Sequence, residues 1–349
     1  LHTAYRRQRQ MCIRDRIIGG ALTSISWEWI FLINVPIGIF IVIAGHYVLG
    51  AVEGQRVPLD IWGAILATLG STALVLGLTS AGKGASNPVF IVAMLVGIAS
   101  LGAFFITQKH TENGVLPLSL FTRRDRVFTF IAIFLLGAIM TTVAVFVALY
   151  VQTILKYTTL RAGLAFIPFA FALALGAATA SKISMKWAPR WIILAGCIFM
   201  VIGFGWGTAI SEESTFWADI FPPTLIIGYG VGLVSIALTL SAVAGVKPID
   251  VGPLTAISLV AQTLGGPIGL AFAGALAQSY TRHHGGADIP VTEMNSVQLH
   301  ALGEGYLLTL FVCLGLAVVM GILSALFIRF TVPDVVEGQK ANEAANDLP

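Results

Sequence analysis

The chain has 349 residues, of which 57% are hydrophobic and 11% are charged, and its mean hydropathy is +0.89. Soluble domains carry about 25% charged residues, so this composition excludes a soluble protein and predicts an integral membrane protein. The formal charge of +3 comes from dispersed Lys and Arg residues, which excludes a nucleic-acid-binding role. The three cysteines, Cys12, Cys197 and Cys313, imply no disulfide framework.

The N-terminal stretch differs from the rest of the chain. Residues 1–16 do not begin with Met, carry five of the twenty Lys and Arg residues and lack the apolar core of a signal peptide. They resemble translated sequencing-adapter read-through and are interpreted as a non-native leader, with a genuine cytoplasmic basic loop as the alternative. Residues 17–26 are apolar but fewer than the roughly 20 that a bilayer-spanning helix needs, so they are expected to end a helix.

Nine longer apolar runs follow, and none has Asp, Glu, Lys or Arg in its interior. Every backbone polar group in lipid must be bonded within its own segment, so runs of this length are predicted to be helices. The predicted spans are residues 30–49, 61–78, 89–107, 127–155, 163–180, 191–210, 220–243, 252–279 and 305–328. The sequence therefore predicts an all-α polytopic membrane protein.

The orientation of the spans is predicted from the basic loop at residues 109–126, which contains Lys109, Arg123, Arg124 and Arg126. Lys and Arg near helix ends are retained on the cytoplasmic side. Placing this loop inside puts eleven Lys and Arg residues inside and four outside when the leader is set aside. The protein is thus predicted to lie in the cell (inner or plasma) membrane with its C-terminus in the cytoplasm.

Two polar segments have predictions of their own. The tail at residues 329–349 is rich in Asn, Glu, Asp and Ala and is predicted to be disordered. The predicted outer loop at residues 280–304 contains His283, His284 and His300, which raise the alternative of a metal site. These histidines have no Cys partner and no helical spacing that would fix a coordination geometry, so a solvated loop without metal is predicted.

The predicted spans contain no Asp, Glu, Lys or Arg, side chains that usually mark a proton or ion path. Either the protein is not proton-driven, or its coupling residues lie outside this chain, which the incomplete first helix favours. A weakly polar stripe on one helix face is predicted from three- and four-residue spacing of Thr142, Val145, Leu149 and Gln152. Gln262 is the most polar side chain near the middle of its span. Such groups either bond to a neighbouring helix or line a watery cavity.

Small residues and prolines recur in the same spans. The glycines at 228–232 lie inside an apolar helix rather than after a strand, which excludes a dinucleotide-binding loop. Spacings such as that of Gly265 and Gly269 predict close helix packing, and prolines are predicted to interrupt helices near a substrate site or a hinge. The packing and gating candidates are Pro168, Gly228, Gly230, Gly232, Gly265, Gly266, Pro267 and Gly269.

Three stretches carry a family resemblance. They are the run SWEWIFLINVPIG at residues 26–38, the pair LYVQ and RAGLAFIP at residues 149–152 and 161–168, and the run QTLGGPIGLA at residues 262–271. Together they resemble the fourteen-helix drug/proton antiporter branch of the major facilitator superfamily. Glu28 stands where this family usually has Arg, Lys156 stands where it usually has Gly, and the 181–190 loop retains little beyond the charge of the family's half-motif.

The resemblance implies a domain arrangement and an N-terminally truncated chain. Residues 17–49 would end the N-terminal bundle, residues 50–108 would form a two-helix insertion, and residues 127–328 would form the C-terminal six-helix bundle after the 109–126 loop. The parts in which this family usually carries its proton-coupling acids would then lie upstream. The chain alone is therefore expected not to transport, because alternating access needs two bundles.

The resemblance also implies the function and the site. It implies a secondary active transporter that exports drugs or other amphipathic or cationic molecules, driven by a proton gradient and without a cofactor. Its partners would be the lipid bilayer, a small-molecule substrate and an envelope adaptor protein. A metabolite exporter (of an amino acid or siderophore), a non-transporting receptor or scaffold and, less well supported, a membrane-embedded enzyme are the alternatives. The substrate-cavity candidates are Thr141, Thr142, Gln152, Tyr229, Ser235 and Gln262.

Overall fold

The computed structural model describes residues 32, 34–48, 60–81, 87–110, 123–208, 219–246, 248–286 and 294–346. Every regular element within these residues is a helix. The helices are α1 (Asn34–Val48), α2 (Ile61–Ala81), α3 (Pro88–His110), α4 (Arg124–Thr153), α5 (Thr159–Ala165), α6 (Ile167–Ile183), α7 (Pro189–Gly207), α8 (Phe221–Ala242), α9 (Pro248–His283), α10 (Ser296–Phe327) and α11 (Val332–Asn346).

Eight membrane-length apolar helices occur within the described residues, and they confirm eight of the nine predicted spans. The remaining span, residues 30–49, lies partly outside the described residues, which show it as α1. The prediction of an all-α polytopic protein is confirmed. The N-terminal leader and most of the 109–126 loop also lie outside the described residues.

Helices α4 to α10 pack as two closely associated groups. In one group α4 packs along α9, and in the other α8 packs against both α6 and α7. Helix α10 contacts α4, α7 and α9 and so touches both groups. Ile139, Met200, Val234 and Met320 are fully buried in the apolar core that these helices share. In a membrane this core stabilises the bundle through van der Waals packing, because lipid is as apolar as the side chains.

Helices α2 and α3 form a pair that packs on α9. The side chain of Leu101 lies beside Gly70, where an added Cβ would be 2.7 Å from it, so the two helices run close together. At one end of the pair, Asp60 accepts a hydrogen bond from the backbone of Gly63 at 2.8 Å and another from the side chain of Gln108. These bonds fix the start of α2 against the end of α3.

The structure corrects several predicted boundaries. Helix α4 begins at Arg124, inside the stretch assigned to the basic loop, and α10 begins at Ser296, inside the predicted outer loop. The early start of α10 has a local cause, because Asn295 and Gln298 form a reciprocal capping box there. The prediction that the tail is disordered is wrong for residues 332–346, which form α11. Val335 is 1% exposed, so the tail has an apolar anchor.

Candidate functional site

The glycines of α8 bring this helix into backbone contact with two neighbours. A Cβ on Gly228 would lie 2.6 Å from the carbonyl oxygen of Phe169 on α6, and Gly232 also faces the backbone of α6. Gly230 faces the other way, since a Cβ there would lie 2.6 Å from the carbonyl oxygen of Gly196 on α7. Nonbonded heavy atoms normally stay about 3.5 Å apart or more. Glycine therefore permits α8 to pack this closely against both helices.

A second glycine seam joins α4 to α9. Gly265 faces the backbone of Phe134, and Gly137 on α4 faces the backbone carbonyl of Gln262 on α9. Gly269, one turn further along α9, also faces α4. Both helices contribute glycine to this seam, so their backbones approach directly over several turns. The predicted Gly-rich stretches thus lie in two separate helix seams.

Two of the polar candidates lie on the α4–α9 seam. Thr141 is half-buried, and a Cβ on Gly266 would lie 2.5 Å from its hydroxyl oxygen. Gln262 is also half-buried and lies beside Gly137. Because Gly137 precedes Thr141 by four residues and Gln262 precedes Gly266 by four, these two contacts are one helical turn apart. The structure therefore brings Thr141 and Gln262 onto neighbouring turns of one seam.

The other polar candidates lie elsewhere. Thr142 is 1% exposed, and its hydroxyl makes no hydrogen bond within the described part of the chain. Ser235 is buried on α8, whereas Gln152 is exposed in the last turn of α4. The ring of Tyr229 is half-buried and meets Phe199 of α7 edge to face, with 5.1 Å between centroids. The stripe expected on α4 therefore does not present Thr142 and Gln152 to the same surroundings.

The prolines behave differently from one another. The helix is interrupted at Phe166, between α5 and α6. Pro168 lies in the first turn of α6, a position where a helix tolerates proline. Pro222 and Pro223 likewise begin α8 and do not interrupt it. Pro267 lies inside α9, which continues from Pro248 to His283, so the predicted interruption is wrong there.

A polar joint that the sequence analysis missed lies at the end of the bundle where α4 begins, called here the Arg123 end. Arg126 is 5% exposed, and its guanidinium donates a hydrogen bond to the carbonyl oxygen of Ala244, beyond the end of α8, at 3.3 Å. The backbone N–H of Gly245 donates to the carbonyl oxygen of Asp334 in α11 at 3.0 Å. A cation is favourable beside a helix C-terminus. Gly245 has a φ of +62°, which glycine adopts without strain.

Asp334 fixes the start of α11 within this joint. Its Oδ2 accepts hydrogen bonds from the hydroxyl of Thr331 at 2.7 Å and from the backbone N–H of the same residue at 2.8 Å. These two bonds, helped by the positive charge of Arg123, hold the pKa of Asp334 below its ordinary value. Arg123 also lies 5.1 Å from the ring centre of Phe330, which is 1% exposed. The Thr-x-x-Asp spacing is the sequence signal that could have predicted this helix start.

A second polar cluster lies at the opposite end, where α9 ends and α10 begins. Tyr280 donates a hydrogen bond to Glu304 at 3.0 Å, and His300 lies 3.4 Å from the same carboxylate. The ring of His284 stacks on Tyr280 with 3.9 Å between centroids. Among the described residues, no group of three or more His, Cys, Asp and Glu side chains could hold a metal ion. Glu304 and Arg282 lie within the observed helices, beyond the boundaries of the predicted spans.

Two cavities border the rings of Phe146 and Tyr306. One of about 50 Å³ lies between α4, α8 and α10 and is also lined by Ile227. The other, of about 290 Å³, lies between α4, α9 and α10 and is also lined by Gln278 and Arg282. Their described lining residues include none of the predicted polar candidates. If the predicted polar candidates line a substrate path, that path must therefore lie at other surfaces of the bundle than these two cavities.

Comparisons with known proteins give the class of the fold. No family model matches the chain. A bacterial homolog of the human lysosomal transporter Spinster, solved in an inward-facing and occupied conformation, matches with a TM-score of 0.50 and 16% identity. That match covers 78% of this chain and 67% of the homolog, and it shows likeness of fold. The helices and this likeness define a polytopic all-α membrane fold.

Sequence relatives extend the comparison. The uncharacterized MFS-type transporter EfpA of Mycobacterium tuberculosis is 39% identical over 94% of this chain. The cephamycin export protein CmcT of Amycolatopsis lactamdurans is 31% identical over 73% of it, and the multidrug export protein EmrB of Haemophilus influenzae is 29% identical over 72%. The chain spans 62%, 54% and 51% of these relatives, respectively. The first of these relatives is named as an MFS-type transporter and the other two as export proteins, in agreement with the predicted resemblance to the major facilitator superfamily and with the prediction that the chain is not an enzyme.

Proposed function

We propose that the full-length protein is a proton-coupled exporter of amphipathic or cationic small molecules. The observation that carries this proposal is the similarity, across nearly the whole chain, to proteins named as transporters and export proteins. The chain spans less than two thirds of those relatives, so the coupling acids and half of the substrate path would come from the rest of the protein. The lipid bilayer and a small-molecule substrate are the required partners, whereas an envelope adaptor remains a prediction from the resemblance.

The geometry of the helix seams supports a binding role for Thr141 and Gln262. Both side chains are half-buried, both lie on the α4–α9 seam, and the seam is rigid because glycine brings the two backbones together. A rigid seam holds polar groups at fixed positions, which a substrate site requires. Tyr229 would add an aromatic face, and the ring of an aromatic residue attracts organic cations. The site would act by binding and release, without covalent chemistry.

A second candidate is export of a native metabolite. The name of the cephamycin export protein favours it, because that relative is named for the export of a single antibiotic class rather than of many drugs. Such a substrate would carry carboxylate groups. The proposed site residues Thr141, Tyr229 and Gln262 are uncharged, so they would have to bind the carboxylate through hydrogen bonds alone. The two candidates therefore differ in the charge of the compound that is exported.

The test is a transport assay on the full-length protein in cells that lack their own efflux pumps. Efflux of ethidium and of a cephamycin is followed with and without a protonophore. Ethidium efflux that stops when the protonophore is added supports the proposal, and gradient-dependent efflux of the cephamycin alone supports the second candidate. Export of neither compound, with the protein correctly inserted, contradicts both.

A further inference from the structure

The two glycine seams join five of the six membrane helices after residue 123 into two units, and α10 packs against both. The first unit is α4 with α9, joined through Gly137 and Gly265, and the second is α8 with α6 and α7, joined through Gly230 and Gly232. Within each unit the helix backbones are in contact. Movement of one helix relative to its neighbour would therefore require these backbone contacts to separate over several helical turns. Between the units, α4 and α8 meet through side chains, because the glycines of each helix face helices of its own unit. The boundary between the units is therefore the less constrained of these interfaces.

The boundary between α4 and α8 differs at its two ends. Towards the end where α9 finishes, the cavity of about 50 Å³ beside Phe146 and Ile227 separates the helices. At the Arg123 end, the hydrogen bond from Arg126 to Ala244 ties them together directly. The start of α11 adds a second contact at this end. The backbone carbonyl oxygen of Asp334 accepts a hydrogen bond from the N–H of Gly245, which follows α8.

Helix α11 is fitted closely into this position. Gly338 faces the carbonyl oxygen of Val243 so tightly that a Cβ could not be accommodated without a shift of the backbone. Val335 is 1% exposed, and Phe330, which precedes the helix, lies under the guanidinium of Arg123, the residue before α4. The segment therefore contacts the first unit through α9 and Arg123, and the second unit through α8 and the residues that follow it.

We propose that α11 is a clasp that sets the separation of the two units at the Arg123 end, with Asp334 and Gly338 as its positioning residues. The C-terminal bundle then moves as two articulated units whose spacing at the Arg123 end depends on the docked tail helix. Alternating access requires helices to change their separation at one end of the membrane at a time. A clasp that bridges α4 and α8 at one end limits that change.

The test measures distances between spin labels in the full-length protein, with its native cysteines replaced by alanine. One label pair, at Arg124 of α4 and Thr239 of α8, reports the spacing between units, and a second pair, at Arg124 and Thr255 of α9, reports the spacing within one unit. All three positions are exposed. The distance of each label pair is measured in the protein with an unchanged α11, in the Gly338→Ala variant and in the Asp334→Ala variant.

The clasp variants are expected to lengthen and broaden the distances between units and to leave the distances within the unit unchanged. Glu337→Ala, on an exposed part of α11, is the matched control and should change neither pair. Unchanged spacing between units in both clasp variants would overturn the proposal, and so would broadening of both pairs, which would mean general loosening. If Gly338→Ala fails to fold, Asp334→Ala alone decides. No transported compound is needed, so the result stands apart from the proposed function.

Discussion

At the scale of single residues, glycine positions carry more of this structure than polar positions do. The sequence predicts close packing at Gly228, Gly230 and Gly232, but it cannot say which helix each one faces. The structure assigns the first and third to α6 and the second to α7. This assignment depends on the rotation of α8 about its axis, which neighbouring helices determine and which no local pattern encodes.

The first prediction concerns these contacts. Gly232→Ala should destabilise the protein by about 1–3 kcal/mol, the range for an overpacked site, because the new methyl group meets the backbone of Leu173. Thermal unfolding of the full-length protein in detergent measures the effect. Gly315→Ala, in open space on α10, should be neutral or slightly stabilising, because alanine favours the helix. Equal stability of the two variants would contradict the close packing of α6 and α8.

A second prediction separates binding from packing at Gln262. The side chain is half-buried, whereas its backbone contact with Gly137 does not depend on the side chain. If the side chain binds substrate, Gln262→Leu should change which fluorescent cations are exported while the amount of folded protein stays the same. Gln152→Leu, at an exposed position, is the matched control. Loss of folded protein, or an unchanged substrate profile, would assign Gln262 to helix packing.

At the scale of elements, the centres of the membrane helices are predictable and their ends are not. An apolar run without charge suffices to predict a helix in lipid, which is why eight spans are recovered. Helix ends depend on specific polar bonds. Helix α10 begins at Ser296 and not at residue 305 because Asn295 and Gln298 cap it, and α11 forms in a polar tail because Asp334 and the buried Val335 anchor it.

The third prediction is the pH dependence of α11. The hydrogen bonds from Thr331 lower the pKa of Asp334 in the folded state, so the folded state binds this proton more weakly than the unfolded state does. The resulting stabilisation of α11 is present above the ordinary aspartate value of 3.8 and is lost as the pH falls through the lowered pKa. Asp334→Asn should remove this pH dependence, because the amide does not titrate, and Asp334→Ala, which also removes both hydrogen bonds, should destabilise the helix by about 0.5–2 kcal/mol, as loss of a helix cap does.

Hydrogen exchange of the backbone N–H of Gly245 measures this effect, because that group is bonded to Asp334 across the joint. Protection at neutral pH should fall in Asp334→Ala, and the exposed variant Glu337→Ala should retain it. Protection that is equal in both variants would show that the carboxylate does not hold α11 in place.

At the scale of the whole molecule, the family and the helical fold follow from the chain, while the site is incomplete within it. The predicted polar candidates do not gather in one described cavity, because Thr141 and Gln262 share a seam, Gln152 is exposed and Thr142 is buried. In a transporter with two bundles the substrate path lies between the bundles. Residues of one bundle can therefore be predicted to face the path, but the pocket itself depends on the surface opposite them.

The last prediction is the orientation of the chain in the membrane. The bias of eleven Lys and Arg residues against four predicts that the 109–126 loop is cytoplasmic and that the segment before α10 is external. Single cysteines at Ser119, which lies outside the described residues, and at Ser296, which is exposed at the start of α10, test both sides. An impermeant thiol reagent applied to intact cells should label the second alone, and permeabilised cells should show labelling of both. Labelling of the first alone would reverse the orientation and place the Arg123 joint, with its docked tail helix, on the outer face.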